Sequence, residues 1–204
     1  SSRVEVDAAI DALQHQIAAV IEGAVSPDNP KDMTSDFILN ASFDNNDATG
    51  WKGSTPGLDM TNDTRNAEFY NTNFNIYQQL AGLPNGVYQL SVQGYYRAGG
   101  SGDAYNAWLE GEETNLHAMM YAITGKDTMT VPLPSICKDA QSSKLGVGVE
   151  AEVAPGMYVP DNMLAAATYF AKDCYADNSL LFCIEDGTLT FGLRKDTKIN
   201  RDWT

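Results

Sequence analysis

Val87-Tyr88-Gln89-Leu90-Ser91-Val92-Gln93-Gly94-Tyr95-Tyr96-Arg97 is the stretch that decides the fold class. Apolar and polar residues alternate along it, the period-two pattern of a half-buried strand. Phe74-Asn75-Ile76-Tyr77-Gln78-Gln79-Leu80 reads as a strand of the same kind. Leu83-Pro84-Asn85-Gly86 joins the two as a hairpin turn, with Asn-Gly supplying positive φ. Beyond Arg97, Gly99-Gly100-Ser101-Gly102-Asp103 reads as a hairpin connection and Ala104–Glu110 as a third strand. A phosphate cradle needs a helix N-terminus after its glycines, so none is expected. Met119-Met120-Tyr121 is a short strand, and Ser179–Glu185 and Thr188–Arg194 flank the hairpin signal Asp186-Gly187. After Pro160, Asp161 can cap a short inserted helix through Lys172 that buries Met163, Ala166, Ala167 and Phe170. Short strands with such punctuation predict an all-β fold, an antiparallel sandwich or barrel.

The N-terminus obeys a different period. Val6, Ile10, Leu13, Ile17 and Val20 form one stripe of a helix over residues 3–22. Gly23 stops it, and Ser26-Pro27-Asp28-Asn29-Pro30 is a linker. Residues 1–30 therefore read as the end of an upstream helical domain, and 31–204 as the β domain. The stripe needs a partner: the rest of this chain, another domain or another copy.

The chain has 204 residues and a net charge of −14, from 27 acids and 13 bases. Phosphate backbones need a basic stripe, so a nucleic-acid partner is excluded. No apolar run approaches the roughly 18 residues of a spanning helix, so no membrane insertion by this segment is expected. No basic segment followed by an apolar one marks a signal peptide. His15 and His117 are the two histidines, few for histidine-based nucleophilic catalysis. Cys137, Cys174 and Cys183 contain no C-x-x-C spacing. Three buried free thiols, or one bridge and one free thiol, fit an odd count.

Two segments carry a resemblance. One is Leu39-Asn40-Ala41-Ser42-Phe43-Asp44 with Trp51 after it. The other is Tyr77-Gln78-Gln79-Leu80-Ala81-Gly82-Leu83-Pro84-Asn85-Gly86-Val87-Tyr88-Gln89-Leu90. In order and spacing they resemble the jelly-roll domains of the galactose-binding-like superfamily, which includes many carbohydrate-binding modules. Asp32-Met33-Thr34, Tyr158-Val159-Pro160 and Asp186-Gly187-Thr188-Leu189-Thr190 resemble a version found in secreted and surface proteins of gut anaerobes. The resemblance covers residues 31–204. It implies a jelly-roll sandwich, with Asn40–Asp44 opening the first strand and residues 77–90 forming the central hairpin. It also implies a noncatalytic, secreted or cell-surface module that binds a glycan, with a structural or protein-contact spacer as the alternative. Such domains continue after Asp-Trp-Thr with a strand carrying a Phe-Asp pair. This sequence stops at Asp202-Trp203-Thr204, so that final strand is expected to be missing and a sheet edge left open.

Candidate ligand residues follow from these readings. Sugars stack on exposed aromatic faces flanked by amides, carboxylates or guanidinium groups. Trp51, Tyr70, Asn71, Tyr96, Arg97 and Tyr105 are the candidates, with alternation sending one of Tyr95 and Tyr96 inward and the other outward. The loop Asp44-Asn45-Asn46-Asp47 offers oxygen ligands of the kind calcium takes. The resemblance implies a structural calcium at Asp44, with Asp47 beside it, although the second carboxylate of such sites comes from the missing strand. Asp59, Asn62 and Asp63 read as solvated turn residues. Glu110, Glu112 and Glu113 read as a solvated loop, which argues against an enzyme.

Overall fold

The computed structural model describes residues 29–111, 116–125 and 127–204, together with Val6, Ile10 and Leu13. The chain divides into two units, Ser1–Asp36 and Phe37–Thr204. In the first, Val6, Ile10 and Leu13 are helical and exposed, while Ile17, Val20, His15 and most of the predicted linker lie outside the described residues.

The second unit is rich in strands and its sheets are open, so it is not a barrel. Its strands are β1 (Lys52–Gly53), β2 (Gly57–Leu58), β3 (Ala67–Glu68), β4 (Phe74–Ala81), β5 (Gly86–Val92), β6 (Met119–Ile123), β7 (Thr128–Pro132), β8 (Glu150–Ala154), β9 (Met157–Pro160), β10 (Asn178–Ile184) and β11 (Thr188–Lys195). The largest sheet runs β1-β4-β11-β6-β7, and β5 pairs with β10 alone. Two further pairs are β2–β3 and β8–β9. Every pairing between these strands is antiparallel.

Strands form near residues 74, 87, 179 and 188 where alternation predicts them, but the second ends at Val92, short of the expected Arg97, and neither predicted hairpin forms. β4 pairs with β11, with Gly192 opposite Tyr77, and β5 pairs with β10, with Leu90 opposite Leu180. Residues 82–85 and 185–187 are therefore arches that carry the chain from one sheet to another. Positive φ falls at Gly82 (77°) and Gly187 (73°), not at Asn85 or Gly86. The arches touch, since the Leu83 N–H donates to the Gly187 carbonyl at 3.1 Å. Turn dipeptides report local backbone freedom, whereas partner choice follows burial. Leu83, Phe182, Ile184, Leu189 and Phe191 meet in one cluster, with Leu80 and Leu90 against it. A hairpin would have left both strands in one sheet and this surface open.

Other expectations need correction. Residues 101–110 form a helix, not a strand. The run is too short for period to decide, and its apolar residues also fit one helical face: Ala104 is buried and Trp108, four residues on, packs on the same cluster. The Asp103 carboxylate accepts from the Gly100 N–H at 3.0 Å and so occupies the helix start itself. The inserted helix spans Met163–Phe170, short of Lys172. Its cap is Asn162, whose side chain accepts from the Ala165 N–H at 2.9 Å, and Asp161 is used elsewhere. Met163, Ala165, Ala166 and Tyr169 are its buried residues, with Ala167 and Phe170 only partly covered. Asn40–Asp44 does not open a strand, because Phe43, Asn45 and Asn46 sit at positive φ. The Gln78 side chain instead holds this segment through the Leu39 N–H (3.1 Å) and carbonyl (2.7 Å). Cys137 and Cys174 are buried free thiols, and burial pushes Cys137 up to about 11. Cys183 is free but exposed, against the reading of three buried thiols.

Gly192 sits at the middle of β11, between β4 and β6. A Cβ there would meet the Ile76 carbonyl oxygen at 2.1 Å. That contact is with backbone, so the sheet itself must shift. Gly192→Ala is expected to cost about 2 kcal/mol or more in urea unfolding. An unchanged midpoint would show that the β4–β11 register is wrong.

Candidate functional site

The last three residues build the most elaborate polar feature of the second unit. Asp202, Trp203 and Thr204 lie as an extended segment between residues 69–71 and Arg97. Phe69 N–H donates to Thr204 O (2.9 Å), Thr204 N–H to Phe69 O (3.1 Å), and Asn71 N–H to Asp202 O (2.8 Å). On the other side, Arg97 N–H donates to Trp203 O (2.7 Å) and Trp203 N–H to Arg97 O (3.0 Å). The segment is thus laddered on both edges, which accounts for the burial of Asp202 and Trp203.

Below it, Lys195 and Asp202 form an ion pair whose side chains are both fully buried. The Tyr96 hydroxyl donates to Asp202 Oδ2 at 3.3 Å. Lys195 Nζ lies 5.7 Å from the centroid of the Tyr96 ring. Above it, the Trp203 indole N–H donates to Glu68 Oε2 at 2.8 Å. The Arg97 guanidinium sits 5.1 Å from the Trp203 ring centroid and pairs with Asp161. Arg97 also donates through Nε to Gly99 O (3.2 Å) and through Nη2 to Arg201 O (3.3 Å). Ser101 Oγ donates to Asp161 Oδ1 at 3.1 Å, which fastens the start of the 101–110 helix to the same centre.

These groups line a cleft of about 480 Å³, with Glu68, Tyr70, Arg97, Asp161, Arg201 and Trp203 as its principal walls. Tyr70 stands at the lip, 51% exposed. Arg201 is exposed and sits at a φ of 63°, a conformation that costs a non-glycine residue energy; Asn71 Oδ1 accepts its N–H at 3.2 Å. Of the six aromatic and polar candidates, the structure brings Tyr70 and Arg97 into the cleft, with Asn71 behind Arg201.

The remaining three are placed elsewhere. Tyr96 is fully buried, so it is a core residue and not a sugar platform. The expectation of one inward and one outward ring fails because both faces at this point are covered: Tyr95 packs in one cluster and Tyr96 in another. Trp51 is stacked on Phe43 at 5.3 Å, meets Phe191 edge-on, and spends its indole N–H on Asn40 O. Tyr105 is half-buried on the 101–110 helix, outside the cleft walls. Sequence reasoning missed Glu68, Arg201 and Trp203, and read Asp161 only as a cap. The available signal was Asp-Trp-Thr itself, an aromatic residue flanked by polar ones after a basic run.

Asp44 faces Arg65 at 3.7 Å, and Asp47 accepts from the Thr49 N–H and hydroxyl. The hydroxyl bond holds Asp47 below the usual carboxylate range. Among the described residues, no group of three His, Cys, Asp or Glu side chains converges as metal ligands. A calcium ion on Asp44 and Asp47 would have to displace Arg65 from one and Thr49 from the other. Asp59 serves as a turn residue, as read, accepting from the Thr61 and Asn62 N–H groups.

A scan against protein-family models finds no match to this chain, and searches of curated proteins and of solved structures find none either.

Arg97 is almost fully buried, and Asp161 is its only carboxylate partner among the described residues. Asp161→Ala is expected to lower stability by about 2 kcal/mol, because it strands a buried cation, whereas exposure of the Asp161 side chain keeps the loss below that of a fully buried pair. Urea unfolding of the two proteins measures this. A loss under about 0.5 kcal/mol would mean that solvent reaches Arg97 freely.

Proposed function

We propose that Phe37–Thr204 is a noncatalytic, jelly-roll-like β-sandwich that binds carbohydrate in the Tyr70–Trp203 cleft, as a module of a secreted or cell-surface protein. The sandwich reading is supported by the two open sheets that share one hydrophobic cluster across the arches. The observation that carries the binding reading is the cleft itself. An exposed aromatic ring lines it together with guanidinium and carboxylate groups whose positions are set by bonds within the protein.

A pyranose would stack its apolar C–H face on Tyr70. Its hydroxyls would meet Arg201 and Asn162 as donors and the free lone pairs of Glu68 and Asp161 as acceptors. Preorganisation lowers the ordering cost of binding. Glu68 and Asp161 also share the cleft as two carboxylates, the pairing that glycoside hydrolysis uses. Each spends a hydrogen bond on holding the fold, Glu68 on the Trp203 indole and Asp161 on Ser101 and Arg97. That favours binding over catalysis.

A second reading, a spacer or protein-contact module, rests on the first unit. Its helical Val6, Ile10 and Leu13 are 46%, 48% and 57% exposed, an apolar stripe suited to another helix.

A glycan array and affinity electrophoresis against plant and mucin polysaccharides test the proposal. Tyr70→Ala is expected to weaken binding about tenfold, the loss of one stacking contact. Val87→Ala, at an exposed position outside the cleft, is expected to leave binding unchanged. Failure of the folded protein to bind any glycan rejects the reading.

A further inference from the structure

Lys195 and Asp202 are, among the described residues, the only ion pair with both side chains fully buried. The pocket around them is short of partners. Lys195 Nζ has Asp202 Oδ2 and the face of Tyr96. An ammonium carries three donors, and an ionised carboxylate needs acceptor bonds on both oxygens. Asp202 Oδ2 is well served, by the Tyr96 hydroxyl at 3.3 Å and the Ile199 N–H at 3.3 Å. Asp202 Oδ1 is buried with no partner. As a charged pair, this arrangement leaves an orphaned carboxylate oxygen and an underused ammonium in a site closed to bulk solvent.

We propose that Lys195 and Asp202 condense into an intramolecular side-chain amide, an isopeptide bond. The surroundings suit each part of that reaction. The step runs through the neutral pair, reached when one ammonium proton of Lys195 passes to the Asp202 carboxylate. Lys195 Nζ attacks Asp202 Cγ and forms the C–N bond. Negative charge develops on Oδ2, where the Tyr96 hydroxyl and the Ile199 N–H already point. Burial, with Asp202 adding to it, raises the Tyr96 phenol well above its ordinary value, so it stays a donor. The Cγ–Oδ1 bond breaks. Oδ1 leaves as water with two of the three ammonium protons, and the third remains on the amide nitrogen. No oxidant or cofactor enters the balance. The product removes the orphan: Oδ1 is gone, Oδ2 keeps both donors as the amide carbonyl, and no buried charge remains. The bond would close the loop of residues 196–201, which places Arg201 in the cleft.

Intact-mass spectrometry of the folded, purified protein tests this. The expected mass is that of the sequence less one water. A protease digest should then contain one branched peptide joining Lys195 to Asp202, and Lys195→Met and Asp202→Ala should each have the full mass of their sequences. Because either variant could fail to fold, the wild-type peptide map decides the matter alone. Full sequence mass in the folded wild type overturns the proposal. So does a water loss located at Asp186-Gly187 or reversed by hydroxylamine, since that marks a backbone succinimide and not a side-chain amide.

Discussion

A single buried contact, Lys195 to Asp202, anchors the C-terminal region. Lys195 ends β11, in the middle of the largest sheet, and Asp202 begins the last extended segment. Taking two charges out of water is costly, and only close pairing and added hydrogen bonds offset it. The Tyr96 hydroxyl and the Ile199 N–H supply those bonds on one oxygen. Through this contact the position of β11 is transmitted to Trp203, and from Trp203 to Arg97 and Glu68. The cleft is the outer surface of that chain of contacts. Its walls come from segments distant in sequence, and each is held by a bond to another wall.

The arches explain how strands with ordinary hairpin signals build two sheets. β4 and β11 run side by side, as do β5 and β10, and both pairs turn the same corner together at Gly82–Gly86 and Glu185–Gly187. A local turn would satisfy backbone hydrogen bonds equally well. It would not bury Leu83, Phe182, Ile184, Leu189 and Phe191 against one another. Burial of apolar surface, at roughly 25 cal/mol per Å², outweighs the local preference of a turn dipeptide. The same argument covers the 101–110 helix, where Ala104 and Trp108 reach one cluster only if their spacing is helical.

The candidate site was legible in part. Tyr70 and Arg97 were identified from residue type beside the alternating strands, and both line the cleft. Tyr96 was drawn in by the same logic and proved to be core, because alternation assigns a side and says nothing of what covers that side. The roles of Arg201 and Trp203 are not legible in the sequence, because they depend on a ladder to residues 69–71 and 97, more than a hundred positions away. Asp161 was assigned by its place before a helix. Yet Asn162 caps that helix, and Asp161 turns instead to a guanidinium from another segment.

What the residues alone determined are the properties that depend on neighbours in the chain. These are the period-two strands that begin near residues 74, 87, 179 and 188, the short helix after Pro160, and the acidic balance of 27 acids to 13 bases. Only the tertiary structure decided which strands pair, which aromatic rings remain in water and which charges share a buried space. Those outcomes are set by contacts between residues far apart in sequence, where the free energy of burying one group depends on what lies opposite it.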